Sequence, residues 1–271
     1  MTPAFGLIII GDEILSGKRS DKHLSKVIEL LSQRGLSLAW ARFVGDERER
    51  ITGTLREAFA GSDVVFSCGG IGATPDDHTR QCAAAALGLE LALHPQARDL
   101  IESRMRDMAA ERGEVFEPTR PDNVHRYNMG VFPVGSRIIE NPYNKIPGFS
   151  CDGPGGGTVH FLPGFPVMAW PMIEGVLDRQ YAHLGRRGAW MERSVIVFGA
   201  MEATLTPLME QIERAHPVKV FSLPSVDHPE YGRHIELGVK GGPDAVAAAY
   251  PELLAGLQAH GAQTGPEMVR S

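Results

Sequence analysis

The richest chemical signal in the chain is the run Cys68-Gly69-Gly70-Ile71-Gly72-Ala73-Thr74-Pro75-Asp76-Asp77-His78-Thr79. Gly69, Gly70 and Gly72 let the backbone take left-handed conformations and approach a ligand closely. N–H groups exposed in such a loop can cradle a phosphate, helped by the N-terminus of a following helix. The Thr74 and Thr79 hydroxyls extend that set. Asp76 and Asp77 are hard oxygen donors, unsuited to meeting a bare anion. A divalent cation (Mg²⁺, Mn²⁺ or Co²⁺) between carboxylates and phosphate removes the conflict and supplies a route to hydrolysis. The competing reading is a tight strand-to-helix turn in which Asp76 or Asp77 caps the helix. The run is not a Walker loop, since no Lys follows the glycines. Nor is it a dinucleotide fingerprint, since its order is GGxG.

A second loop, Gly11-Asp12-Glu13-Ile14-Leu15-Ser16-Gly17, could offer Asp12 and Glu13 to a metal or to ribose hydroxyls. It could equally be an ordinary turn capped by Asp12 or Ser16. Pro163 and Gly164, inside Leu162-Pro163-Gly164-Phe165-Pro166, form a rigid turn that could wall a planar ring, as could Ile146-Pro147-Gly148-Phe149. Structural turns are the commoner explanation of both. His23, His78, His94 and His125 are not at metal-ligand spacing and read as surface or cap histidines. Cys68 has no partner base and reads as packing. The charge run Asp46 to Arg50 reads as a solvated helix start.

These loops need elements to position them. Phe5 to Ile10 has the apolar run of a buried strand, and Leu24, Val27, Ile28 and Leu31 lie on one helical face that Gly35 closes. Leu38 to Val44 is a second strand. Ile51, Leu55, Ala58 and Phe59 mark a second helix. Asp63 to Ser67 is a central strand. The glycine run therefore lies between a strand and a helix expected over Asp77 to Leu87. A helix over Gln96 to Glu111 follows, then long loops and short strands from Gly113 to Gly157, a strand at Thr158 to Leu162 and a helix at Pro166 to Leu177. Alternating strands and helices predict an α/β domain with a mostly parallel sheet covered on both faces. Both acidic loops would then sit at the carboxyl edge of that sheet, where ligands bind.

A boundary is expected near Gly185 to Gly188, dividing domains 1–185 and 186–271. Beyond it the pattern is β-α-β-β-α: Ser194 to Phe198, Thr206 to Ala215, Val218 to Leu223, Arg233 to Val239 and Pro243 to His260. That is the size of a small ferredoxin-like or KH-like α+β module. The polar tail after Gly261 is expected to fray.

The chain has 271 residues, 43% hydrophobic and 22% charged, enough for one large domain or a medium domain with a small companion. A net charge of -6 argues against a duplex nucleic-acid partner. No run approaches the roughly 18 apolar residues of a membrane span, and no signal peptide is evident. Three scattered cysteines form neither a disulfide framework nor a zinc site, so a reduced, cytoplasmic setting is expected.

Taken together, the motifs resemble those of the molybdopterin-binding (MoaB/Mog-like) superfamily, and within it the N-terminal domain of CinA-type competence/damage-inducible chains. The resemblance spans Phe5 to Leu177. It rests on residues 11–17, Val44-Gly45-Asp46, residues 69–79, Asn141-Pro142, Pro147-Gly148-Phe149 and residues 162–166. It implies a three-layer α/β domain, usually a homo-oligomer, followed by a KH-like module. It places Asp77 at the family's aspartate after the glycine loop, Asp76 at its acidic neighbour, and Glu13 at the first-loop acid. The implied activity is metal-dependent pyrophosphatase cleavage of ADP-ribose or a related dinucleotide. The alternatives are non-catalytic binding of molybdopterin or a nucleotide, and molybdopterin adenylyl transfer. The chain departs from the CinA pattern at Asp21-Lys22-His23, where Asn-Thr-Asn is common, and at Met168, where a Glu is common. It also departs at Asn128-Met129-Gly130, where Lys-Gln-Ala is common; Arg126 or Lys145 could replace that missing cation. In the second module no Gly-x-x-Gly joins two helices, the arrangement that clamps nucleic acid.

Overall fold

The computed structural model describes residues 3–185 and 191–270. The chain divides into two compact units, Met1–Gly185 and Arg186–Ser271. The expected boundary at Gly185 to Gly188 falls largely outside the described residues.

The first unit opens with β1 (Phe5–Ile10), the one-turn α1 (Asp12–Leu15), α2 (His23–Ser32), β2 (Leu38–Val44), α3 (Arg48–Ala60) and β3 (Val64–Cys68). It continues with α4 (Thr79–Leu87), β4 (Leu91–Leu93), α5 (Pro95–Glu111), α6 (Pro121–Arg126), β5 (Val131–Pro133), β6 (Arg137–Ile139), β7 (Gly148–Asp152), β8 (Thr158–Leu162) and α7 (Pro166–Gln180). Six strands form one sheet in the order β2-β1-β3-β8-β7-β6. The pairs β2–β1, β1–β3 and β3–β8 are parallel, while β7 and β6 are antiparallel additions at one side.

Every residue of β1 and β3 is buried, because helices cover both faces of the sheet. Alternation along β1 splits the core in two. Ile8 and Ile10 pack with Ile51, Leu55 and Phe59 of α3, and with Cys82 and Ala83 of α4. Phe5, Leu7 and Ile9 face Val27, Leu30 and Leu31 of α2, and Met172, Ile173 and Val176 of α7. Each such large side chain contributes about 1.5–3 kcal/mol on burial. This is the three-layer, mostly parallel α/β architecture that the motifs implied. The parallel register brings the carboxyl ends of β1, β2, β3 and β8 to one edge, since Cys68 pairs with Leu162 and Ile10 with Val44.

Two local expectations need correction. The helix after the glycine run begins at Thr79, not Asp77, because Pro75 and Asp76 form a turn that Asp77 closes from its own side chain. The segment 113–157 holds a helix, α6, and a 3-10 turn at Tyr127–Gly130 in addition to loops and short strands. Pro121 at the start of α6 supplies the preset φ that a first helical residue needs.

The second unit contains β9 (Met191–Phe198), α8 (Glu202–Ala215), β10 (Val218–His228), β11 (Gly232–Gly241), α9 (Pro243–Ala259) and β12 (Gln263–Arg270). Its sheet is antiparallel in the order β10-β11-β9-β12. This is the small α+β module expected, and its strand order is the ferredoxin-like one. The tail does not fray. It pairs along β9, where Arg270 bonds Glu192 of β9 and Glu236 of β11. A polar sequence forms a strand here because β9 would otherwise present an open edge.

Candidate functional site

Four loops meet at the carboxyl edge of the first sheet. The glycine loop leaves β3 through Gly69, whose N–H donates to the Leu162 carbonyl at 3.0 Å. A Cβ at Gly69 would lie 2.2 Å from the Ile10 carbonyl oxygen, and φ there is +111°. Only glycine fits where two strand ends pass this closely. The loop then folds back: Thr79 N–H donates to the Gly70 carbonyl at 3.0 Å, and the Thr79 hydroxyl donates to the Gly69 carbonyl at 3.1 Å. Thr79, expected to touch ligand, is fully buried and holds the loop from behind.

Asp77 shapes the outer half of the loop. Its Oδ2 accepts the Thr74 N–H at 2.8 Å and the Thr74 hydroxyl at 2.5 Å, and its own N–H donates to the Thr74 carbonyl at 3.0 Å. A Cβ at Gly72 would stand 2.6 Å from that same oxygen. The N–H groups of Gly70, Ile71, Gly72 and Ala73 donate to no acceptor among the described residues. Four successive donors without a protein acceptor, ahead of the N-terminus of α4, are a candidate cradle for an anion.

Beside this cradle the acidic loops converge. Asp12 N–H donates to Asp46 Oδ2 at 2.9 Å, and Asp46 N–H donates to Asp12 Oδ1 at 3.1 Å. Burial pushes the Asp46 carboxyl above its ordinary range; the Asp12 N–H opposes this, and the charges of Asp12, Glu13 and Asp76 add to it. The structure therefore gathers Asp12, Glu13, Asp46 and Asp76, while Asp77 turns inward to Thr74. Among the described residues, no three His, Cys, Asp or Glu side chains form a ready-made metal cage. Asp12, Glu13, Asp46 and Asp76 are the hard oxygen donors at this edge.

Asp46 belongs to the Val44-Gly45-Asp46 motif, but its charge run reads as a solvated helix start and gave it no site role. A usable signal was present: Gly45-Asp46 follows β2 as Gly11-Asp12 follows β1. His23 also departs from expectation. It is not a surface histidine but is 5% exposed, and its Nε2 lies 3.0 Å from the Gly164 carbonyl. A carbonyl only accepts, so Nε2 carries the proton there. The bond anchors the Pro163-Gly164 turn, whose Gly164 would place a Cβ 3.5 Å from Gly69 Cα. Asp21 accepts the N–H groups of His23 and Leu24, both at 2.9 Å, and caps α2. Glu13, Arg19, His23, Cys68 and Phe165 line a cavity of about 410 Å³ at this end of the sheet. Burial drives the Cys68 thiol far above its normal range, which leaves it a packing group.

The candidate substitutes for the missing lysine are engaged elsewhere. Lys145 pairs with Asp107 at 2.5 Å and donates to Ser103 at 3.0 Å; Arg126 bonds Asn123 at 2.8 Å and lies 3.4 Å from Asp122. Among the described residues a guanidinium does reach the glycine loop, that of Arg80, which sequence reasoning passed over. It donates to the Gly72 carbonyl at 2.7 Å and also to the Asn128 carbonyl. Its position, one residue into a helix that is otherwise apolar on that face, was the available signal.

Comparison with known proteins places the chain in a family. The family described as "Probable molybdopterin binding domain" matches residues 6–183. A protein of Pyrobaculum calidifontis is 32% identical over 237 residues, covering 86% of each chain. A CinA-like protein of Citrifermentans bemidjiense is 32% identical over 79% of this chain, which spans only 49% of that relative's length. The crystal structure of CinA from Thermoplasma acidophilum, a protein of unknown function, superposes with a TM-score of 0.54 at 27% identity, over 65% of this chain and 97% of that one. The chain belongs to the molybdopterin-binding domain family and has CinA-like relatives.

Proposed function

We propose that this protein is a metal-dependent nucleotide pyrophosphatase acting on ADP-ribose or a related dinucleotide. The observation that carries this reading is the run of free N–H groups at Gly70 to Ala73 beside the carboxylates of Asp12, Glu13, Asp46 and Asp76. A cradle alone would suit any anion. Carboxylates beside it suit an anion that arrives with a divalent cation, as a phosphoanhydride does. When bound, the cation would polarise a phosphoryl oxygen and lower the pKa of a coordinated water.

The chain's own groups do the rest. Gly70, Ile71, Gly72 and Ala73 hold one phosphate by its non-bridging oxygens. Asp12, Glu13 and Asp76 would hold the cation side, and Asp77 keeps the loop closed through Thr74. Asp46, whose Oδ1 accepts no donor among the described residues, takes the proton of the attacking water. Water adds to one phosphorus, the bridging P–O bond breaks, and two phosphomonoesters leave. From ADP-ribose these are AMP and ribose 5-phosphate. The Pro163-Gly164-Phe165 turn would wall the planar base at the edge of the cavity lined by Glu13 and His23.

A second reading is ligand binding without turnover, to molybdopterin or a nucleotide. It is favoured by one observation: Arg126 and Lys145 are held in ion pairs, and residues 128–130 provide no cation. Product chromatography with ADP-ribose and FAD, in Mg²⁺, Mn²⁺ or Co²⁺, separates the two. Cleavage that needs metal and disappears in Asp46→Asn supports the hydrolase. Binding of nucleotide or pterin with no product in any metal supports the binding protein.

A further inference from the structure

Arg80 is 5% exposed, yet it has no carboxylate partner among the described residues. Its two polar contacts are the carbonyls of Gly72 and Asn128, and its Nε has no partner. The carboxylate whose field it feels is Asp77, and Asp77 already accepts two hydrogen bonds from Thr74. Burial lowers the pKa of the guanidinium, as expected for a cation short of compensation. An incompletely compensated buried charge is costly, and carbonyl dipoles offset that cost only in part. The same residue fixes the Gly72 peptide within the run of free N–H groups. By accepting from Arg80, the Gly72 carbonyl polarises the peptide group whose N–H is that of Ala73.

We propose that Arg80 supplies, through the peptide groups of the glycine loop, the positive potential that binds a phosphate or pyrophosphate group there, so that the site selects ligands by their phosphate charge. The inference rests on the phosphate site of the preceding reading but not on hydrolysis. Arg80 is a positioning residue: it acts on the anion across the loop. In this role it offsets what residues 128–130 lack. No cationic side chain comes from that turn; its Asn128 carbonyl instead receives the guanidinium. The site should hold pyrophosphate itself and discriminate strongly against the matching phosphate-free nucleoside.

The test uses the full chain, with inorganic pyrophosphate and Mg²⁺ as probe and adenosine as the uncharged control. Titration calorimetry compares the native protein with Arg80→Met, which removes the charge, and Arg80→Lys, which keeps it with fewer donors. The native protein should bind pyrophosphate, Arg80→Met should bind it about tenfold more weakly or worse, and Arg80→Lys should stay within about threefold. Adenosine affinity should not distinguish the three. If Arg80→Met does not fold, Arg80→Gln takes its place under the same expectation. A neutral variant that folds and binds pyrophosphate as the native protein does overturns the inference, as does a native protein that binds none. If native protein cleaves ADP-ribose while a neutral variant keeps its pyrophosphate affinity, only the role of Arg80 fails. If pyrophosphate binding depends on Arg80 but no dinucleotide is cleaved, the charge-selective site stands and the hydrolase reading fails.

Discussion

Asp12 and Asp46 each bond the other's backbone: Asp46 Oδ2 accepts the Asp12 N–H at 2.9 Å, and Asp12 Oδ1 accepts the Asp46 N–H at 3.1 Å. The exchange clamps the turns after β1 and β2 and leaves one oxygen of each carboxylate without a donor among the described residues. A Cβ at Gly45 would lie 2.6 Å from Asp12 Oδ1, so a small residue before Asp46 is part of the same clamp. Two acidic side chains thus stay close despite their mutual repulsion.

Replacing Asp46 by Asn keeps a side-chain oxygen that can accept the Asp12 N–H but removes the charge. Metal-dependent turnover should fall by about 10²-fold or more, with the melting temperature nearly unchanged. Steady-state kinetics on the variant would check this. An Asp46→Asn protein with native turnover would remove Asp46 from the chemistry.

Gly70 has φ +69°, and a Cβ there would lie 2.2 Å from Thr79 Oγ1. Gly70→Ala should destabilise the protein by about 1–3 kcal/mol and weaken phosphate binding, because the buried Thr79 cannot withdraw. Gly88, at the C-terminus of α4, has nearly the same φ, +68°, but open space around its Cβ direction. Gly88→Ala should cost only about 1 kcal/mol and leave binding intact. Urea denaturation of both variants gives the comparison.

His160 is fully buried between Ser150, 2.7 Å from its Nδ1, and the Tyr181 hydroxyl, 2.8 Å from its Nε2. Burial, aided by Arg137, lowers its pKa to about 3. The unfolded chain therefore binds a proton near pH 6.5 that the folded chain refuses. Stability should be unaffected by this group above pH 6.5, and should fall by about 1.4 kcal/mol per unit as pH drops from there toward 3. A His160→Gln variant should lose this part of the slope. Parallel denaturation curves from pH 7 to pH 4 would detect it.

Strand β12 covers the outer edge of β9 and carries Arg270 to Glu192 and Glu236. A chain ending after His260 should leave β9 as an open edge and lose cooperative melting of the second unit, with concentration-dependent association. Circular dichroism melts at two protein concentrations would test this. A truncated protein that melts like the full chain would mean that β12 is dispensable.

The sequence by itself determined the layered α/β fold and the main loops. Its apolar runs have strand and helix periods, and these are local properties. Ile51, Leu55, Ala58 and Phe59, chosen by spacing, are the buried residues of α3. The glycine run, too, announced its own backbone freedom. Asp46, His23 and Arg80 were not legible in this way. Asp46 belongs to the site because parallel pairing of β2 with β1 carries its turn to Asp12, 34 residues away in the chain. His23 lies 141 residues from Gly164, and Arg80 48 from Asn128, in the contacts that give them their roles. Strand β12 likewise exists because β9 has an edge to fill. Periodicity reports which face of an element is apolar. Where a polar side chain ends up depends on which distant backbone groups need a partner, and only the assembled sheet decides that.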